Sequence, residues 1–301
     1  MKMHYFSLTA ILASMGAQAV NLDTTAREYK VLLETSKFTY ETERATVDMF
    51  TQILANTISQ AIMREVTGVA VLDKERMVTY WDVPHSCTLR EINYSFRERW
   101  NIYDKSDKDV TLKYRDSDRF ISGYEDLSTN QTDFKTKVEE DILINNNFEL
   151  LAKHSHSTKI NRYNQNINKV EDIYDHFPGF EAAYGTIDPE LPLVAVGKVN
   201  FYERRYEGQR IDLGQFDADI VLSLWYTSPT PQLTDSPVVA EVSFDYADPA
   251  GEYTQKVVQR AANSIVAIAK MSDWINLNAQ TKTDYAYSYD PSFCVSTITS
   301  F

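Results

Sequence analysis

Alternation of charged and apolar residues is the feature that most constrains how this sequence can fold. Successive side chains of a β-strand point to opposite faces, so residues two apart share a face. Six predicted strands have one apolar face and one densely charged face. The charged faces carry Glu28, Lys30, Arg97, Arg99, Lys113, Arg115, Lys137, Glu139, Asp141, Lys198, Arg204, Glu241 and Asp245. Such a sheet has one apolar side that must be covered and one side with charges of both signs.

Strands make up most of the predicted elements, and two long helices interrupt them. The strands are expected at 27–33, 69–82, 92–100, 110–115, 134–143, 194–206, 218–226 and 238–246. Apolar residues three and four apart predict amphipathic helices over 43–66 and 253–274. The polar, Asn-rich stretch 145–168 predicts a loop, and 170–176 predicts a short helix. This order of elements favours the α+β class.

The charged strand faces allow two interpretations. In the first, a one-sided antiparallel sheet turns these faces to water. In the second, an antiparallel sheet closes into a β-barrel with the charged faces inside and the long helices packed outside. The interior is then a tunnel in which Arg and Lys bind phosphate oxygens and carboxylates bind Mg²⁺ or Mn²⁺. A small polyanion is the ligand that such a tunnel suits.

Six short motifs follow one another along residues 27–246. They read REYKVLL at 27–33, YWDVP at 80–84, LREINYSFRERW at 89–100, TLKYR at 111–115, KVEED at 137–141 and VAEVS at 239–243. In composition and order they resemble the CYTH domain of the triphosphate tunnel metalloenzyme superfamily. Ala26 and Ser243 stand where that family carries glutamates. The resemblance favours the second interpretation, the closed tunnel.

The resemblance also implies a set of binding residues. Carried over by position, the phosphate-binding residues are Lys30, Arg97, Arg99, Lys113, Arg115 and Lys198. The implied metal-binding residues, for Mg²⁺ or Mn²⁺, are Glu28, Glu139, Asp141 and Glu241. Members of the family hydrolyse triphosphates or make cyclic AMP with a divalent metal. Three functions remain open: a metal-dependent triphosphatase or polyphosphatase, a non-catalytic polyanion-binding protein, and a structural secreted protein.

The N-terminus has the pattern of a secretory signal. Lys2 precedes an apolar stretch of about ten residues, and Gly16-Ala17-Gln18-Ala19 provides a small-x-small cleavage site. The stretch is too short to span a bilayer. We therefore expect residues 1–19 to be removed, leaving a single domain over 20–301 that is secreted or extracytoplasmic and has no membrane segment.

Two cysteines, Cys87 and Cys294, remain after cleavage. In an oxidising compartment they form a disulfide if the fold brings them together, and otherwise they are two buried thiols. Asn93 and Asn130 lie in N-glycosylation sequences, which matter only in a host that glycosylates its exports.

The net charge of −13 disfavours a nucleic-acid-binding protein as a description of the whole chain. It does not exclude a small polyanion held between the basic residues of the strands.

Overall fold

The computed structural model describes residues 24–248 and 250–295, so the expected signal at 1–19 lies outside the described residues. Ten strands are described: β1 (Ala26–Leu32), β2 (Val66–Asp82), β3 (Tyr94–Asn101), β4 (Lys108–Asp116), β5 (Phe134–Ile144), β6 (Leu150–Ile160), β7 (Val194–Ala195), β8 (Phe201–Asp212), β9 (Asp217–Tyr226) and β10 (Val239–Ala247). Seven α-helices accompany them: α1 (Glu43–Ile62), α2 (Thr88–Glu91), α3 (Arg119–Tyr124), α4 (Glu171–Tyr174), α5 (Pro178–Tyr184), α6 (Gln255–Ala269) and α7 (Lys282–Ser288).

The strands of the sheet form a ring. Their order is β3-β4-β6-β5-β1-β10-β9-β8-β2, and β2 pairs with β3 as well as with β8. β7 is a short addition that pairs with the end of β2. Neighbouring strands are antiparallel except β1 and β5, which are parallel. The predicted α+β class and a largely antiparallel sheet are therefore confirmed.

Two apolar layers cover the outer side of the ring. On one side α1 and α6 pack against β1, β8, β9 and β10, and α1 contributes a stripe of buried residues that includes Phe50 and Leu54. On the other side α4 and α5 pack against β3 and β4, where the ring centroids of Phe180 and Tyr94 are 4.9 Å apart. The expected pair of long helices thus covers only one of the two sides.

Two predicted elements differ from the structure. β6 occupies much of the stretch predicted as a loop. The sequence does not predict this strand, because its Ser and Lys residues alternate with His and Thr rather than with aliphatic side chains. The predicted strand over 194–206 is interrupted by a 3₁₀ turn at Val196–Lys198, where Gly197 and Lys198 both have positive φ. A left-handed backbone cannot continue a strand, so β8 begins only at Phe201.

The C-terminal segment is tied to the body of the protein. Cys87 and Cys294 form a disulfide across a sequence separation of 207 residues, which decides between the two alternatives left open by the sequence. In the part of the chain that the structure describes, no helix is both long enough and apolar enough to cross a membrane.

Candidate functional site

The charged faces of the strands meet on the inner side of the ring. Asp141 of β5 lies at their centre and is 4% exposed. Its carboxylate accepts hydrogen bonds from Lys30 Nζ (2.9 Å) on β1 and from Lys113 Nζ (3.2 Å) and Arg115 Nη2 (2.7 Å) on β4. β4 and β5 are not neighbours in the ring, because β6 lies between them. The two contacts from β4 therefore pass over the inner face of β6.

We call these residues, with the glutamates beside them, the Asp141 cluster; it comprises Glu28, Lys30, Lys113, Arg115, Glu139 and Asp141. Glu28 pairs with Lys30 at 2.8 Å, and Glu139 lies 3.6 Å from Lys113. Burial would raise the pKa of Asp141, but the charges of Lys113, Lys30 and Arg115 outweigh that effect and hold its pKa well below the usual range. The carboxylate is therefore ionised and satisfied by cations.

A second group, the arginine cluster, comprises Arg76 of β2 and Arg97 and Arg99 of β3. Arg76 pairs with Glu203 of β8, and Arg99 Nε lies 3.1 Å from Asp109 Oδ1. Burial, followed by the charges of Arg97 and Arg76, lowers the pKa of Arg99 to about 9. Three guanidinium groups thus lie close to two carboxylates; burial acts to lower the pKa of Arg97, but the charges of Tyr80, Asp109 and Glu203 outweigh it and raise that pKa.

Two buried polar atoms near this cluster lack a partner. In the described part of the chain, neither Arg97 Nε nor Thr111 Oγ1 has a hydrogen-bond partner. Arg97 and Thr111 are directly opposite each other in the pairing of β3 with β4. Thr111 shares a strand face with Lys113, so both side chains are on the charged side. Buried polar groups are rarely left unpaired in native proteins, so these two donors are suited to a hydrogen-bond acceptor on the inner side of the ring.

A cavity of about 340 Å³ opens beside the arginine cluster. Its basic lining consists of Lys74, Arg76, Arg99, Lys108, Lys159 and Arg162. Burial, reinforced by the charges of Arg99, Lys74 and Arg76, lowers the pKa of Lys159 despite the nearby Asp109. Four carboxylates, of Glu75, Asp107, Asp109 and Asp133, also line the cavity, so this mouth of the ring is basic by two charges, although the whole chain is acidic.

The opposite end of the ring is covered by α7. Residues 74–76 of β2 line the cavity, whereas Tyr80, further along the same strand, contacts Tyr287 of α7 at 6.3 Å between ring centroids. Tyr285 of α7 packs on Phe201 at the start of β8. The cavity therefore lies beside the middle of β2, and α7 lies towards the C-terminal end of that strand.

The structure brings most, but not all, of the residues predicted for the site together. Lys30, Lys113, Arg115, Glu28, Glu139 and Asp141 form one cluster, and Arg97 and Arg99 belong to the other. Lys198 is exposed in the 3₁₀ turn, outside both clusters. Arg204, expected on the same charged face, pairs with Glu43 of α1 on the outer side. Glu203 and Arg205, which alternate with Arg204 along β8, take the inner face instead.

Several inner residues were not among the predicted site residues. They are Arg76, Asp109, Thr111, Glu203 and Lys282. Asp109 and Thr111 continue the two-residue spacing of Lys113 along β4, so this spacing is a signal that identifies them. The sequence does not show that Arg76 faces inward, because the pairing of β2 with β8 shifts register between Leu72 and Lys74.

The predicted metal-binding carboxylates do not form a common donor set. Glu28, Glu139 and Asp141 each pair with a lysine or arginine of the Asp141 cluster, and Glu241 pairs with Lys282 at 2.9 Å. Over residues 24–248 and 250–295, the structure has no group of three His, Cys, Asp or Glu side chains placed to hold a metal ion. As arranged here, these carboxylates do not fit a divalent cation.

No protein-family model matches the sequence, and no curated protein matches it. Among solved structures, the chain is similar to a protein from Hippeastrum described as a candidate adenylyl cyclase with a dominant triphosphatase activity, at 10% identity and a TM-score of 0.44, covering 88% of this chain and 96% of that one. It is also similar to a candidate adenylate cyclase from Bacillus halodurans, at 15% identity and a TM-score of 0.37, covering 87% of this chain and 97% of that one.

These neighbours are adenylyl cyclase-like proteins, one with triphosphatase activity, which is the kind of protein that the motif resemblance implied. Both TM-scores lie below 0.5, so the function proposed next rests on the side chains of this chain.

Proposed function

We propose that this protein binds a short polyphosphate anion, of the triphosphate or polyphosphate class, inside the ring of strands. The observation that carries the proposal is the gathering of Arg76, Arg97 and Arg99 on the inner face, next to Thr111 and in line with Lys113 and Arg115 of β4. A phosphate group accepts hydrogen bonds from guanidinium, ammonium and hydroxyl donors, and Arg97 Nε and Thr111 Oγ1 are two donors without another partner among the described residues.

The distribution of the cations favours a chain of phosphates over a single one. Residues two apart along β4 are about 6.8 Å apart, so Thr111, Lys113 and Arg115 offer successive contacts over roughly 14 Å. Lys113 retains a lowered pKa even with two carboxylates nearby, because burial and the charges of Arg115 and Lys30 act against its protonated form. An anion with several charges in line relieves this repulsion at more than one point.

In this proposal the ring encloses a tunnel. The anion enters at the electropositive mouth and extends towards the Asp141 cluster, while α7 covers the other end. Arg97, Arg99, Lys113 and Arg115 bind phosphate oxygens, and Lys30 orders the carboxylates between them. Lys198 takes no part, because it is outside the ring.

We also propose that the protein acts outside the cytoplasm, after removal of residues 1–19, as a single domain over 20–301. The disulfide between Cys87 and Cys294 supports this proposal, because structural disulfides persist mainly in oxidising compartments. Detection of the mature chain beginning at Val20 in the extracytoplasmic fraction tests it.

The binding experiment compares tripolyphosphate with orthophosphate by isothermal titration calorimetry. We expect the wild-type chain to prefer tripolyphosphate, and Arg97→Gln to weaken its binding at least about tenfold, since a charged hydrogen bond contributes about 1.5–3 kcal/mol. Arg44→Gln is the matched control because Arg44 is half-exposed on α1 and pairs with the exposed Asp48.

The outcome that contradicts the proposal is an absence of tripolyphosphate binding, or equal binding by wild type and Arg97→Gln. Phosphate release with Mg²⁺ or Mn²⁺ is measured on the same samples. Release would assign a metal-dependent triphosphatase or polyphosphatase, and binding without release would assign a non-catalytic polyanion-binding protein.

A further inference from the structure

Two buried carboxylates at the α7 end of the ring share one ammonium group. Glu203 of β8 and Glu241 of β10 are 3% and 6% exposed, and both lie on the inner face. Lys282 Nζ is 2.9 Å from Glu241 Oε1 and 3.6 Å from Glu203 Oε1. The ammonium therefore bridges carboxylates from two strands that are separated by β9.

The bridging lysine belongs to α7, outside the sheet. α7 is held in place by Tyr287, whose hydroxyl donates to Asp82 at 2.8 Å, and by the disulfide that follows the helix. Lys282 Nζ also lies 5.8 Å from the ring centroid of Trp225. These contacts place the ammonium group between the carboxylates independently of its own ion pairs.

The remaining lone pairs of Glu203 are also occupied. Trp225 Nε1 donates to Glu203 Oε1 at 2.9 Å, and Arg76 pairs with Oε2. Although burial acts to raise the pKa of Glu203, the charges of Arg76 and Lys282 hold it well below the usual range. Glu203 is thus ionised, and the geometry places a cation against each of the two buried carboxylates, since an unpaired buried charge is very costly.

We infer that Lys282 is an internal cation that takes the place of a divalent metal ion between Glu203 and Glu241. An ammonium group is a compact charge with three donors and neutralises carboxylates of two strands, as a hard metal ion with oxygen ligands does. This inference builds on the proposed function: the chain binds its polyanion without a metal ion, because its own helix supplies the cation. Removal of the ammonium takes away the cation of Glu241, while Glu203 keeps Arg76 and Trp225, and it opens to Mn²⁺ the side of both carboxylates that faced Lys282.

The first experiment titrates Mn²⁺ alone into four proteins: the wild-type chain, Lys282→Gln, the double variant Lys282→Gln with Glu241→Gln, and Lys256→Gln. Lys256 is an exposed lysine of α6 and serves as the matched control. We expect Lys282→Gln to bind one Mn²⁺ at least about tenfold more tightly than the other three proteins, and Mn²⁺ to raise its Tm. Equal Mn²⁺ affinity in wild type and Lys282→Gln overturns the inference, as does a Lys282→Gln chain, folded or unfolded, that does not respond to Mn²⁺.

The second experiment uses only the wild-type protein and measures tripolyphosphate binding after treatment with EDTA. The inference expects the affinity to be unchanged by EDTA. Binding that appears only when Mn²⁺ is added overturns the inference but leaves the proposed function standing. A complete absence of tripolyphosphate binding in both conditions refutes the proposed function, while the Mn²⁺ titration still decides the role of Lys282.

Discussion

Replacement of Asp141 by Asn removes the negative charge at the centre of the Asp141 cluster while preserving the size of the side chain. The cations within 3.2 Å of its carboxylate, Lys30, Lys113 and Arg115, then share only Glu28 and Glu139. Removal of one partner from a buried ion pair costs about 3–5 kcal/mol. Because the side chain of Arg115 is about one-third exposed, we expect a loss at the lower end of that range, about 3 kcal/mol.

The same substitution should make the protein more responsive to anions. With Asp141 neutral, the cluster has one more positive charge than the wild type and lacks a central acceptor. A ligand at a hundred times its Kd stabilises the folded state by about 2.7 kcal/mol. Tripolyphosphate should therefore recover most of the loss in Asp141→Asn, and should stabilise this variant more than wild type at the same ligand concentration.

Urea unfolding with and without tripolyphosphate measures both effects. The control is Asp48→Asn, whose carboxylate pairs with Arg44 on the surface, at side-chain exposures of 48% and 50%. Such exposed pairs contribute at most about 1 kcal/mol, and this variant should show no added response to the anion. A loss below about 1 kcal/mol in Asp141→Asn, or a response to tripolyphosphate no larger than that of wild type, would refute the reasoning.

Two further predictions concern the end of the ring under α7 and the acidic edge of β10. Replacement of Cys87 and Cys294 by serine should lower the free energy of unfolding by about 2–5 kcal/mol, measured in urea; a change below about 1 kcal/mol would show that the other contacts of α7 suffice. Burial, and then the charge of Glu28, raises the pKa of Asp245 from 3.8 to about 6, so the protonated form is favoured and its stabilising contribution is lost as the pH rises through about 6. Asp245→Asn should therefore be about 3 kcal/mol more stable than wild type above pH 7 and nearly equal to it near pH 4, and a stability difference that does not vary with pH would contradict this assignment.

The inner face of the ring was largely predictable because alternation carries the information needed. Asp141 and Lys113 lie in strands where apolar and charged residues alternate, and the structure turns their charged sides to the same interior. Alternation alone could not show which residues face inward where an irregular turn interrupts a predicted strand. Lys198 satisfies the pattern in the sequence but has φ of 53°, so it lies in a turn rather than in the sheet.

Other parts of the site depend on tertiary contacts that leave no local pattern. β6 lacks an aliphatic face, and it belongs to the ring because β4 and β5 supply hydrogen bonds on both of its edges. Lys282 lies in a short polar helix, and nothing near it in the sequence marks it as a partner of Glu241. Its position follows from the docking of α7, which in turn depends on Asp82 and on a disulfide that spans most of the chain.

The acidic net charge of the chain disfavours large anions, whereas the basic residues of its interior favour small ones. Because many lysines and arginines are used inside the ring, the acidic excess that gives the net charge of −13 lies mainly outside it. At physiological ionic strength this outer charge acts over about 8 Å, so it repels a nucleic-acid duplex that must approach along a broad surface. A slender polyphosphate reaches the basic mouth, at Arg76 and Lys159, without lying along that surface. The acidic composition and the basic interior together therefore favour a ligand that is highly charged but narrow.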